Sequence, residues 1–169
     1  LMLATRFLVQ HKDRLHTGLM IVANSCEEGL GNLKGCKEIF NNYGDRIRRF
    51  YSFDGYMSQC TSIAVGSHRY RMQVQCPGGH SYLDFGKDNA IQIAAEIIHE
   101  LYRITPPQQE YTTYNVGRIE GGSTVNSIAQ EVTLLYEYRS ASEACLQVMK
   151  GELNRVVNEF RAKGKKINL

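Results

Sequence analysis

The chain has 169 residues, 43% hydrophobic and 22% charged, with a formal net charge of +3. These are the proportions of an ordinary globular domain and exclude intrinsic disorder and collagen. The longest apolar run falls far short of the ~20 residues that span a bilayer, nothing in the first residues reads as a signal peptide, and the slight basic excess is too small to argue for nucleic acid.

Leu3, Phe7 and Leu8 share a helical face, so residues 3–10 read as the tail of a helix. Residues 19–23, Leu19-Met20-Ile21-Val22-Ala23, form a continuous apolar run, the pattern of a strand buried on both faces in a parallel sheet. A polar loop to Gly31 follows, then a short helix carrying Leu33, Cys36, Ile39 and Phe40 that stops near Gly44. Residues 49–53 read as a second strand, ending at Asp54-Gly55. Strand, loop, helix and strand make a piece of an α/β layer protein, whose ligands gather beyond the carboxyl ends of the strands.

After Gly66 the pattern changes. Tyr70, Met72, Val74 and Cys76 alternate with polar residues as in a half-exposed strand, which Pro77-Gly78-Gly79 breaks. Residues 89–103 have helical spacing and stop at Pro106-Pro107, residues 111–119 form a strand, and Gly121-Gly122 turns the chain. Val132, Leu134, Tyr136 and Tyr138 alternate again; Cys145, Met149, Leu153, Val156, Val157 and Phe160 mark a second amphipathic helix; Lys166 opens a last strand. The expected fold class is therefore α/β, with an α/β segment over 1–66 followed by a ferredoxin-like βαββαβ unit over 67–169. The chain begins inside an apolar stretch and ends as a strand is entered, so the expectation is a piece cut from a longer protein. Five cysteines, an odd number without CxxC spacing, argue against a disulfide framework or zinc ribbon and point to a reducing cytoplasm, most of them serving as buried small hydrophobes. The basic residues Arg161, Lys163, Lys165 and Lys166 read as a solvated helix end.

Several residues have types suited to chemistry. Glu27 and Glu28 stand directly after the expected buried strand, where adjacent carboxylates repel; a divalent metal would compensate them, and a solvated acidic loop is the alternative. Asp54 either projects into the same crevice or makes an Asp-Gly turn. His80, in Gly78-Gly79-His80-Ser81, is placed to donate to an oxyanion or is a loop histidine without a role. Asn126 lies by the Gly121-Gly122 loop, and Arg139 is either a bidentate clamp for a substrate carboxylate or a surface strand arginine. HExxH, P-loop, GxSxG and GxGxxG motifs do not occur.

Taken together, Val22-Ala23-Asn24-Ser25-Cys26-Glu27-Glu28-Gly29-Leu30-Gly31, Phe53-Asp54-Gly55, Gly78-Gly79-His80-Ser81 and Asn115-Val116-Gly117-Arg118-Ile119-Glu120-Gly121-Gly122, with Asn126 and Arg139, resemble the co-catalytic zinc exopeptidases and amidohydrolases. That family includes carboxypeptidase G, peptidase T, acetylornithine deacetylase, aminoacylase and succinyl-diaminopimelate desuccinylase. The resemblance implies that Glu27 is the general base, Glu28 a ligand of one zinc and Asp54 a ligand of the other, with manganese or cobalt as possible replacements. It implies that His80 is presented to the active site of a partner subunit, and that Asn126 and Arg139 hold the carbonyl or carboxylate of a peptide or N-acyl amino acid substrate. Residues 1–66 then belong to a partial catalytic domain and 67–169 to its lid, which forms a homodimer through the Ile91 to Tyr102 side of the 89–103 helix and a neighbouring edge strand. The alternative for that side is that it covers the lid's own sheet. The family's remaining histidine and aspartate ligands lie outside this sequence, and Ala129 stands where a proline is common, so the expectation is an inactive piece without a two-zinc site. The competing functions are a non-catalytic dimerisation module and a small-ligand-binding module. The paired carboxylates Glu27-Glu28 argue against the last.

Overall fold

The computed structural model describes residues 1–28, 31–55 and 60–169. The chain folds as two units, Leu1–Cys60 and Thr61–Leu169.

The first unit holds α1 (Met2–Gln10), a 3-10 turn at Lys12–Arg14, α2 (Lys34–Tyr43) and a second 3-10 turn at Gly44–Arg46. Helix α1 closes on His11, whose amide donates to the Phe7 and Leu8 carbonyls and whose ring stacks on Phe7 at 4.3 Å. Gly44 caps the end of α2, as the sequence suggested. The two strands expected at 19–23 and 49–53 are not formed; among the described residues, this unit contains no strand and no buried residue. The physical reason lies in the pattern itself. A strand apolar on both sides gains stability only from neighbours at both edges and layers over both faces. None of these exists among the described residues of this unit.

The second unit contains all the strands and makes the chain a mixed α/β protein. Its elements are β1 (Gly66–Gln75), β2 (Gly79–His80), α3 (Ala90–Leu101), β3 (Thr112–Gly121), β4 (Ser127–Ile128), β5 (Glu131–Ser140), α4 (Glu143–Ala162) and β6 (Lys166–Asn168). Four strands form one sheet in the order β3-β5-β1-β6, every neighbouring pair antiparallel, while β2 and β4 make a separate two-stranded ribbon. Without the ribbon, the order is the expected βαββαβ.

Alternation decides which face is covered. Met72 and Val74 of β1, with Val132, Leu134, Tyr136 and Tyr138 of β5, face the core. Ile93, Ala94, Ile97 and Leu101 of α3 and Met149, Leu153, Val156 and Phe160 of α4 complete it. Asn89 caps α3 by accepting the Ile91 amide, and Ser142 caps α4 by accepting that of Cys145. The isoleucines of α3 are therefore spent mainly on the unit's own sheet, leaving Ile91 and Tyr102 exposed. At the other end of α4, Arg161 donates twice to the Ile167 carbonyl and ties down β6, while Lys163 pairs with Glu159 and Lys165 with Asp88.

Burial expected for most cysteines holds only for Cys145: Cys26 and Cys60 are exposed, Cys36 and Cys76 half-buried, and all are free. A thiol in a segment without a packed layer has nothing to bury it. Among the described residues, no helix is long and apolar enough to cross a membrane.

Candidate functional site

His80 and Asn126 are brought together by the small ribbon. β1 ends at Gln75, and the positive φ of Gly78 (76°) bends the chain into β2. His80 pairs with Ser127 across the ribbon, and the Ser81 amide donates to the Asn126 carbonyl at 3.0 Å. The Asn126 side-chain oxygen accepts from the Thr124 hydroxyl at 2.9 Å, which fixes the orientation of its amide. Both His80 and Asn126 are exposed.

The turn after His80 is tightly tied. The His80 amide donates to Asp84 Oδ2 at 2.8 Å, the Asp84 amide donates back to the His80 carbonyl at 2.9 Å, and the Tyr82 amide donates to His80 Nδ1 at 3.2 Å. Lys87 Nζ reaches Asp84 Oδ1 at 2.7 Å. The Lys87 ammonium first, and the His80 amide second, hold the Asp84 carboxyl below the usual carboxylate range. This turn carries large apolar side chains outward: Tyr82 is 85% exposed, Leu83 78% and Phe85 91%, with Val125 fully exposed beside Asn126. Exposed polar residues on a ribbon rimmed by apolar groups are chemically suited to an amide substrate or a second polypeptide surface. Asp84 was missed by sequence reasoning. The signal available was a carboxylate four residues after a histidine in a glycine-bounded loop.

Arg139 lies elsewhere. The ribbon adjoins the start of β5, where the Cys76 amide donates to Gln130 and the Gly122 amide to Glu131. Arg139 stands near the end of β5, seven residues beyond Val132, roughly 23 Å along the strand at ~3.3 Å per residue. The expected grouping of Asn126 with Arg139 is thus not made within one copy of the sheet. Arg139 is also engaged: its Nε and Nη2 donate to the two carboxylate oxygens of Glu137, each at 3.0 Å. Arg69 shares the same carboxylate at 3.3 Å. Hydrogen bonds from Arg139 above all depress the Glu137 carboxyl, and Glu137 raises the Arg139 guanidinium in turn. On the helix-covered face nearby, Tyr138 Oη meets both His68 Nδ1 and Tyr70 Oη at 2.9 Å.

The three acidic candidates belong to the first unit, and all are exposed. The loop carrying Glu27 and Glu28 folds onto the start of α2, where the Cys26 carbonyl accepts from Lys34 and the Glu27 carbonyl from Leu33. Cys26 takes a left-handed φ of 58° to do so. Asp54 Oδ1 accepts the Gly55 amide at 2.7 Å, and Gly55 takes a positive φ of 63°. No strand pair forms a crevice for Glu28 and Asp54 to share among the described residues. Among those residues, no three His, Cys, Asp or Glu side chains form a group able to hold a metal ion.

Comparison with known proteins agrees with the fold of the second unit. The peptidase dimerisation domain of the M20 type matches residues 64–165. The chain is 22% identical over 163 residues to the Arabidopsis thaliana protein IAA-amino acid hydrolase ILR1-like 4, covering 91% of this chain and 37% of that protein. Among solved structures, the aminobenzoyl-glutamate utilization protein of Klebsiella pneumoniae is similar with a TM-score of 0.56 and 23% identity, covering 62% of this chain and 27% of that one. An amidase of the hydantoinase/carbamoylase family from Burkholderia multivorans gives 0.56 and 19%, covering 62% and 26%. The chain thus spans well under half the length of the relatives it matches. The match covers three of the four strands of the sheet, both helices and the ribbon that carries His80, stopping just short of β6, and the chain belongs to the M20 peptidase dimerisation domain family.

Proposed function

We propose that this chain is the lid and adjoining catalytic segment of a metal-dependent hydrolase of peptide or N-acyl amide bonds, with zinc as the metal and manganese or cobalt as substitutes. On this reading residues 1–66 belong to the catalytic domain and 67–169 to the lid. Glu28 and Asp54 are metal carboxylates and Glu27 the general base, roles supported by the sequence pattern rather than by proximity in space. On the same reading the chain by itself is inactive, because the histidine and aspartate ligands that the family resemblance calls for lie outside it. Five free cysteines support a reducing, cytoplasmic setting.

The observation that carries the reading is that His80 and Asn126 are exposed on a ribbon adjoining the start of β5, while Arg139 stands near the far end of that strand, roughly 23 Å beyond Val132. Three polar groups that serve one substrate cannot stand that far apart in one copy. Two copies related by a two-fold axis resolve this, with one subunit supplying Arg139 and its partner supplying His80 and Asn126. The partner-facing surface that fits is the edge formed by β3 and α3. β3 is a ten-residue edge strand, and a strand of that length left open invites pairing. Ile91, Tyr102 and Ile119 are exposed alongside it. Tyr102 Oη accepts the Val116 amide at the β3 bulge, so helix and edge strand present one surface.

Complementation in the whole enzyme tests this. Subunits carrying His80→Ala and subunits carrying Glu27→Ala are each inactive. After exchange, half the dimers are mixed and one of their two sites is intact, so about a quarter of the activity returns. No recovery after demonstrated exchange would show that His80 serves its own subunit or no site.

A further inference from the structure

Why His80 is tied so closely to Asp84 has a consequence for the proton on its ring. The Tyr82 amide donates to Nδ1 at 3.2 Å, and a ring nitrogen that accepts a hydrogen bond is unprotonated. A neutral imidazole held this way carries its proton on Nε2, leaving an N–H donor free on an exposed ring. What keeps the Tyr82 amide over Nδ1 is the closed turn. Asp84 accepts the His80 amide and returns its own to the His80 carbonyl, and Lys87 anchors the second carboxylate oxygen. The same carboxylate needs glycine beneath it: a Cβ on Gly79 would lie 2.6 Å from Asp84 Oδ2.

We propose that Asp84 is a positioning residue that locks His80 in its Nε2–H form and aims that donor at the amide oxygen of the substrate. The aim toward substrate rests on the reading of His80 given above; the lock on the ring does not. A donor oriented before negative charge develops costs no reorganisation when the charge appears, and a bare surface histidine would sample both tautomers and several rotamers.

The test has two parts. In the 15N-labelled 169-residue chain at alkaline pH, the long-range spectrum of the imidazole should show only the Nε2–H tautomer for His80, and the Tyr82 amide should be protected from exchange. Asp84→Ala should expose that amide and yield a mixture of tautomers. Asp84→Asn keeps an acceptor oxygen for the His80 amide and should restore the single form. Unchanged dispersion of the remaining amides shows that each variant is folded. In the whole enzyme, Asp84→Ala should lower kcat by about tenfold or more with KM within about twofold, and Asp84→Asn should recover much of the loss. A native Nδ1–H ring, or a tautomer indifferent to Asp84→Ala, overturns the proposal. So does a kcat that falls in His80→Ala but not in Asp84→Ala. If the tautomer responds as expected while His80→Ala leaves turnover untouched, the lock stands and the hydrolytic role of His80 falls.

Discussion

Two tyrosines of β5, two residues apart on the same covered face, should respond oppositely to loss of their hydroxyls. Tyr136 is 2% exposed and its Oη has no partner among the described residues, while burial pushes the phenol above its ordinary titration range. A buried hydroxyl without a partner costs stability, so Tyr136→Phe should be neutral or stabilising by about 1 kcal/mol. Tyr138 Oη joins His68 and Tyr70, so Tyr138→Phe should cost about 1–2 kcal/mol. Equal losses in urea unfolding would refute the contrast. Glu137 supplies a pH prediction. Its carboxyl is depressed by Arg139 first and Arg69 after, so the folded form gains from ionised Glu137 above the unfolded carboxylate value of ~4.3. That gain is kept at neutral pH and lost as the pH falls through the depressed folded value. Glu137→Gln should therefore lower the melting temperature at neutral pH and flatten its decline toward acid. An unchanged acid limb would mean that the Arg139–Glu137 pair contributes nothing to stability. The pair was legible in principle, because residues two apart in a strand share a face. Attention to Arg139 as a clamp for an external carboxylate hid the internal one.

Helix α4 shows why one part of the sequence could be read and another could not. Its apolar residues recur at helical spacing, and Met149, Leu153, Val156 and Phe160 all reach the core. Leu153→Ala should cost about 2–5 kcal/mol, whereas Val148→Ala, at a residue 52% exposed, should stay within about 0.5 kcal/mol. Comparable losses at both positions would put the buried face elsewhere. Periodicity likewise reveals α3 and the long strands, because each pattern specifies its own single covered face, whereas α1 and α2 follow from helical spacing alone and bury no residue. The runs at 19–23 and 49–53 carry no such one-sided instruction. They are apolar enough for a central strand, but forming one depends on neighbouring strands that the described residues of the first unit do not supply. The candidate site divides along the same line. His80 and Asn126 stand out as polar residues in glycine-marked loops, and the ribbon brings their two loops together. Asp84 does not stand out, since a loop carboxylate looks solvated until the backbone it caps is known. The separation of Asn126 from Arg139 follows from strand direction and length, which no motif records.

The two units differ most in what holds them. No described residue of Leu1–Cys60 is buried, while the core of Thr61–Leu169 includes both helices and three strands of its sheet, with Tyr114 and Val116 of the fourth packed against it. Ordering a residue costs about 1–2 kcal/mol in backbone entropy, and only burial and internal hydrogen bonds repay it. Helices of nine and ten residues without buried faces fall below the ~12–15 residues at which isolated helices become even marginal in water. Hydrogen exchange of this chain should therefore separate sharply. Amides of β1, β5 and α4 should open only with global unfolding, and those of residues 1–28 and 31–55 should exchange close to the rate of an unfolded chain. Limited proteolysis should remove the first unit and leave one resistant product beginning close to Thr61. In the whole enzyme that we propose, strands supplied by the rest of the catalytic domain should protect the 19–23 amides. Protection of those amides already in this chain, at the level of β1, would mean that the first unit is stabilised without those strands, and the assignment of residues 1–66 to a larger catalytic sheet would lose its physical basis.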